Sequence, residues 1–202
     1  MSNIFGILMT GGGKVLTLSK LALAYCINVF RYKEYHLRDK IYPPICITPS
    51  CIYFKGAAYI YKGARIQGIF RYGDKTFTPR IIIHDGVSIQ QGIHLTCAQQ
   101  IEIGENTAIA AYVTITDINH PYDDINISGR EQDIKVSPVR IGKGCLIYNN
   151  AVILPGVTIG DHVVIGANSV VTRNVPDYCV AVGSPARIIK QYDFEQKKWI
   201  KV

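Results

Sequence analysis

Five histidines, six cysteines and an excess of cations are the side chains with chemistry to offer in this 202-residue sequence. His120 has the most unusual setting. It stands in a polar stretch, DINHPYDDINISGREQDIKVSP from Asp117 to Pro138, which interrupts an otherwise regular apolar pattern. An imidazole titrates near neutral pH, so it suits general acid–base work. Asp117, three residues earlier, could orient that ring, and it fits a turn-capping carboxylate equally well. His36, His84, His94 and His162 read as solvated or hydrogen-bonded residues. The cysteines, Cys26, Cys46, Cys51, Cys97, Cys145 and Cys179, form no CxxC pair, and no Cys/His cluster has zinc-finger spacing. They read as reduced thiols of a cytoplasmic protein, several of them small core hydrophobes, with no metal site expected.

Lys and Arg number 22 against 15 Asp and Glu, for a net charge of +7. A basic balance favours an anionic partner: nucleic acid, a membrane surface or a phosphorylated cofactor. The cations are dispersed apart from a modest cluster at Arg31–Lys40, and no nucleic-acid-binding signature accompanies them, so nucleic acid is the weaker reading. Hydrophobic residues at 48% and charged residues at 18% describe a well-filled globular chain.

The elements that must position His120 are written in a six-residue period. Large aliphatic residues recur at Ile141, Ile147, Ile153, Ile159, Ile165 and Val171. Four residues after each comes a small or branched one: Cys145, Ala151, Val157, Val163, Ser169 and Val175. In a strand, residues two apart share a face, so each small residue and the large one that follows it both point inward. Gly, Asn and Asp at Asn149, Asn150, Gly156, Asp161 and Asn168 supply a turn every six residues. Three such sides close a triangular coil of 18 residues, and stacked coils bury a column of Ile and Val. Upstream the period is weaker. Ile83, Ile89, Leu95 and Ile101 keep step, and the phase then slips by two to Ile103, Ile109 and Ile115. Ile60 and Ile66 fit an earlier coil, with Arg71–Thr78 as an outward loop; residues 45–59 are too irregular to phase.

The expected fold is therefore all-β, a parallel β-helix over 45–190 with an inserted loop at 117–138. An N-terminal helical extension spans 1–44 and a short C-terminal tail spans 191–202. Val15–Phe30 is largely apolar but interrupted by Ser19, Lys20 and Asn28, and no signal-peptidase site follows. It reads as an amphipathic helix packed on the protein. The sharper alternative is peripheral membrane contact, with Arg31, Tyr32, Lys33, Arg38 and Lys40 at the head groups.

The hexads, the Asn119-His120-Pro121 loop and the end Gly183-Ser184-Pro185-Ala186-Arg187 together resemble the hexapeptide-repeat O-acetyltransferases. The nearest groups are the galactoside and maltose acetyltransferases and those that decorate bacterial polysaccharides. The resemblance covers roughly residues 80–190 and implies a left-handed coil, a homotrimer with sites between subunits, and acetyl-CoA as donor. It casts His120 as the general base that deprotonates a sugar hydroxyl for direct attack on the thioester, with no acyl-enzyme. It places Asn149 and Ala167 along the pantetheine arm, Thr172 and Arg173 near the nucleotide, and Arg187 and Lys190 near the CoA phosphates. Cations suit those phosphates on elementary grounds. Gln90 falls where galactoside acetyltransferases carry a substrate-binding Asn, and His94 and Tyr148 join it as acceptor-pocket candidates. Two positions depart from the nearest relatives: Leu146 stands where they usually have Trp, and Tyr148 where they usually have Gly.

Other functions fit the same hexads. The acceptor could be serine or an antibiotic, or the helix could be a scaffold without catalysis. A carbonic-anhydrase relative is disfavoured because His84, His94 and His120 lack that family's ligand spacing.

Overall fold

A computed structural model describes Tyr32, Lys40, Ile41 and residues 46–202. The expected helix over Val15–Phe30 lies outside these residues. So does the possible membrane contact, apart from Tyr32 and Lys40. Among the described residues, no helix is long and apolar enough to cross a membrane.

The chain winds as a three-sided prism of short parallel strands. One six-stranded side, here the middle face, stacks Cys46–Ile47, Arg65–Gly68, His94–Cys97, Thr114–Thr116, Val152–Ile153 and Val170–Val171. The face that precedes it in each coil contains Lys40–Ile41, Tyr59–Ile60, Ser88–Ile89, Ala108–Ile109, Leu146–Ile147, Val164–Ile165 and Cys179–Gly183. The face that follows it contains Ile52–Phe54, Arg80–Ile83, Gln100–Ile103, Val139–Ile141 and Thr158–Ile159. Among the described residues the parallel ladder thus begins at Lys40–Ile41, which pairs with Tyr59–Ile60, earlier than the boundary expected at residue 45.

The register reports the coil length directly. Ile141 pairs with Ile159, Ile147 with Ile165 and Ile153 with Val171, each 18 residues on. Both members of every small–large pair are buried, including Cys145 with Ile147 and Val163 with Ile165. Burying each large aliphatic side chain contributes roughly 1.5–3 kcal/mol, which is why the stacked column dominates the fold. The two-residue phase slip has a structural cause. Ile101 and Ile103 are both buried on one strand, as are Ile81 and Ile83 below them and Val139 and Ile141 above. The strand before it, His94–Cys97, runs two residues past Leu95 and adds the inward Cys97 before the turn, so the step from Leu95 to Ile103 is two residues longer than a regular side and shifts the period. Residues 46–59, in a stretch that shows no phase in the sequence, also form coil sides, with Ile52 and Phe54 buried against Ile81 and Ile83.

Corner residues repeat in columns as well. Gly92, Tyr112, Asn150 and Asn168 occupy one corner in successive coils, all with positive φ, at 71°, 60°, 60° and 57°. Asn tolerates this region and a bulky residue does so rarely. Tyr112 is accommodated because its ring lies over Gly92, where an added Cβ would fall 2.5 Å from the Tyr112 Cδ1. Above it, the Asn150 side chain donates to that of Asn168 at 3.2 Å.

The C-terminal segment is more than a tail. Ala186–Asp193 folds back antiparallel on Cys179–Gly183, and Lys198–Lys201 adds a further antiparallel strand. These strands cover the last parallel edge, which would otherwise present unpaired backbone groups. Aromatic contacts tie them to the prism: His162 stacks on Tyr178 at 5.1 Å, and Tyr178 meets Phe194 edge-on at 4.8 Å.

Candidate active site

The insert leaves the edge between the middle and following faces. Its base is a short antiparallel ladder, with Ile118 opposite Val136 and Asn119 opposite Lys135. Inside the loop, the buried Gln132 side-chain amide donates to the Asp124 carbonyl at 2.8 Å, which holds the turn in shape. His120 follows the first strand of this ladder and is exposed. Its ring is set edge-on to Tyr72, with centroids 5.4 Å apart. The Tyr72 hydroxyl lies 3.5 Å from His120 Nδ1 and donates a 2.8 Å hydrogen bond to the Arg130 carbonyl.

Tyr72 is the feature the sequence reading missed. Arg71–Thr78 was expected only as an outward loop, whereas Arg71–Tyr72 and Lys75–Thr76 pair as a β-hairpin. The signal was present: Gly73-Asp74 between two short strands is a two-residue hairpin turn, and Gly73 takes the positive φ such a turn needs, 57°. No local pattern, however, could show that this hairpin packs on a loop about fifty residues later. Lys75 pairs with Asp133 at 2.9 Å across the same contact.

Asp117 does not orient His120 in this structure. Its carboxylate is fully buried and accepts the backbone N–H groups of Ala98 at 2.8 Å, Gln99 at 2.7 Å and Gln100 at 2.9 Å. The Cys97 thiol adds a weaker contact at 3.4 Å. The physical reason is register. Asp117 sits two residues beyond the inward Ile115, as Cys97 sits two beyond Leu95 one coil earlier, so its side chain points into the prism and caps the turn beneath it. Of the two readings of Asp117, this geometry is that of the turn-capping carboxylate.

Gln90 and Tyr148 come together. They line a 170 Å³ pocket with Ala108, Ile109, Ala110, Leu146 and Ile147. The pairing of Ile89 with Ile109, and of Ile109 with Ile147, brings Gln90, Ala110 and Tyr148 into one column where the preceding face meets the middle face. Leu146 and Tyr148, the two departures from the nearest look-alikes, therefore form its wall, with 44% and 47% of their surfaces exposed. His94 is not among the lining residues. It is exposed on the middle face, paired with Arg65 and Thr114. His120 and the Gln90–Tyr148 pocket thus approach from opposite edges of that face.

The candidate cofactor residues divide between the same two edges. Asn149 and Ala167 are exposed one coil apart at the pocket edge, where the Asn168 amide donates to the Asn149 carbonyl at 2.9 Å. Arg187 continues this edge, opposite Val182 in the antiparallel pair, and Lys190 stands opposite Val180. Both cations are exposed. Thr172 and Arg173 are exposed at the other edge, above the Leu154–Gly156 turn from which Gly156 donates to the Ser137 carbonyl at the base of the His120 loop.

His84 and His162 have structural partners. His84 lies 2.9 Å from a Glu102 carboxylate oxygen, and His162 is occupied by its stack on Tyr178. Cys51, Cys97, Cys145 and Cys179 are buried free thiols and Cys46 is half-buried, while Cys26 lies outside the described residues. Burial pushes the Cys51 thiol up to about 11, and burial together with the Asp117 carboxylate raises that of Cys97. Such thiols are poor nucleophiles. No group of three or more His, Cys, Asp or Glu among the described residues is placed to hold a metal ion.

Comparison with known proteins places this geometry in context. Residues 138–173 match the bacterial transferase hexapeptide (six repeats). An Escherichia coli (strain K12) protein assigned to lipopolysaccharide biosynthesis as an O-acetyl transferase is 38% identical over 128 residues, 60% of this chain and 65% of that one. The galactoside O-acetyltransferase of the same organism is 36% identical over 120 residues, 58% of each chain. The crystal structure of a maltose O-acetyltransferase from Clostridium difficile 630 matches with a TM-score of 0.54 at 27% identity, covering 88% of this chain and 86% of that one. The chain spans less than two thirds of the length of these two curated relatives.

Proposed function

We propose that this chain, a hexapeptide-repeat protein related in sequence to sugar O-acetyltransferases, transfers acetyl from acetyl-CoA to a sugar hydroxyl. The acceptor in this reading is a bacterial cell-surface polysaccharide or its precursor. The observation that carries the proposal is His120 itself. It is an exposed imidazole on the long insert that breaks the hexapeptide coil after Thr114–Thr116.

In this mechanism His120 removes the proton from the acceptor hydroxyl as its oxygen attacks the thioester carbonyl. The tetrahedral oxyanion, stabilised by a backbone N–H of an adjoining coil, collapses and expels the CoA thiolate. The thiolate then takes up the proton held on the imidazole. No acyl-enzyme forms, in keeping with buried cysteines whose thiols are raised away from thiolate character. Gln90 and Tyr148 hold the acceptor. Asn149 and Ala167 flank the pantetheine arm, Thr172 and Arg173 lie toward the nucleotide, and Arg187 and Lys190 attract the CoA phosphates.

The division of these groups between two edges of one prism supports a homotrimer in which each site forms between neighbouring copies. The left-handed sense of the coil belongs to the same reading. So does a place in the cytoplasm at the inner face of the membrane, where a lipid-linked glycan is presented.

The test is acetyl-CoA turnover, followed by thiol release, against free sugars, lipid-linked glycans, serine and chloramphenicol. A saccharide is the preferred acceptor. His120→Ala lowers turnover by at least about a hundredfold while the fold and CoA binding persist. Near-normal turnover in that variant overturns the assignment of the base, and preference for serine or chloramphenicol overturns the acceptor.

A further inference from the structure

The hairpin Arg71–Thr76 and the His120 loop leave the same edge of the prism, two coils apart, and meet beyond it. Their ion pair, Lys75 with Asp133, has both side chains more than half exposed, so it contributes little. The contact with chemical content is Tyr72. Its single hydroxyl proton is used in the 2.8 Å bond to the Arg130 carbonyl. Toward His120 Nδ1, 3.5 Å away, the phenolic oxygen therefore has only lone pairs to offer.

An acceptor beside Nδ1 favours the tautomer that carries hydrogen there. The other nitrogen, Nε2, is then unprotonated and basic. The 3.5 Å separation is long for a hydrogen bond, as such contacts often are before substrate arrives, and the edge-on ring contact at 5.4 Å restricts rotation of the imidazole. Because the Arg130 carbonyl belongs to the same loop as His120, Tyr72 joins both ring and loop to one hairpin.

We propose that Tyr72 is a positioning residue that holds His120 in its Nδ1–H tautomer and directs Nε2 at the acceptor hydroxyl. The proposal rests on the reading of His120 as the base, and the experiment separates the two. Long-range proton–nitrogen NMR of histidine-labelled protein, with His120 assigned by its loss in His120→Ala, reads the tautomer without reference to turnover. In the wild-type protein above the imidazole titration, His120 is Nδ1–H. Tyr72→Phe keeps the ring edge and removes the oxygen. The His120 nitrogen signals then move toward the Nε2–H form, and kcat falls about tenfold at unchanged KM for acetyl-CoA. An Nε2–H imidazole in the wild-type protein, signals unmoved by Tyr72→Phe, or a tautomer shift with unchanged kcat each overturn the proposal. If His120→Ala is active while Tyr72→Phe shifts the tautomer, the assignment of the base has failed and the Tyr72 contact stands.

Discussion

The Gln99 amide donates to Asp117 Oδ2 at 2.7 Å, joining two successive coils at the point where the His120 loop begins. With the Ala98 and Gln100 amides it forms a three-donor cradle around one buried carboxylate. Asp117→Ala leaves these donors without their acceptor, and an unsatisfied buried donor costs roughly 1–3 kcal/mol. We expect a loss of about 3 kcal/mol in stability, read as a lower denaturant midpoint. Stability like that of the wild type would show that the cradle contributes little.

Gly142 lies in a column with Gly104 and Gly160 at one corner. A Cβ on Gly142 would stand 2.5 Å from the Gly160 carbonyl oxygen, and one on Gly104 would stand 2.6 Å from the Gly142 carbonyl carbon. The Asp161 carboxylate also stands against Gly142, but both carbonyls are backbone, so the coils must part to admit a methyl group. Gly142→Ala is expected to destabilise the protein by about 2 kcal/mol, measured by thermal unfolding.

Stability should fall in alkali. The Cys51 thiol is pushed by burial from 9.0 to about 11, so between those values the unfolded chain loses a proton that the folded chain retains. The contribution is fully present below pH 9.0 and is lost as pH rises toward about 11, an effect of about 2–3 kcal/mol from this group. Denaturation midpoints taken across that window test it, and Cys51→Ala should flatten the decline.

Acceptor and donor sites should separate in kinetics. Gln90→Ala and Tyr148→Ala change the pocket wall and are expected to raise the acceptor KM about five- to tenfold, leaving the acetyl-CoA KM unchanged. Arg187→Ala does the reverse, and its effect shrinks as salt is added, because an exposed cation acts through screened attraction. If Gln90→Ala alters only the acetyl-CoA KM, the pocket has been assigned to the wrong substrate.

Much of the prism was legible beforehand because its rule is local. Ile147, Ile153 and Ile159 follow one another at six residues, and each is buried with its small companion two positions earlier. The rule failed where a side grew longer. Ile101 looks like the next large residue after Leu95 until Cys97 is seen inside as an added position, which makes Ile101 and Ile103 the ordinary inward pair. Asp117, equally open in the sequence as a partner for His120 or a turn cap, was decided in the structure for a related reason. Its neighbours in sequence suggest a partner for His120, but the register one coil earlier decides where the side chain points.

The sequence alone determined the repeating coil and the site of the insert, since these depend on periods that a chain carries along its own length; Gln90 and Tyr148 entered as acceptor-pocket candidates through the family resemblance, and the register of the coils put them in one column. Only the tertiary structure decided that Tyr72 reaches His120, that Asp117 turns inward, and that the last residues close the end of the prism. Those outcomes depend on which coils lie beside each other and on the length of each side. The Tyr72–His120 and Asp117–Ala98 contacts join residues 48 and 19 positions apart, and no local spacing encodes them.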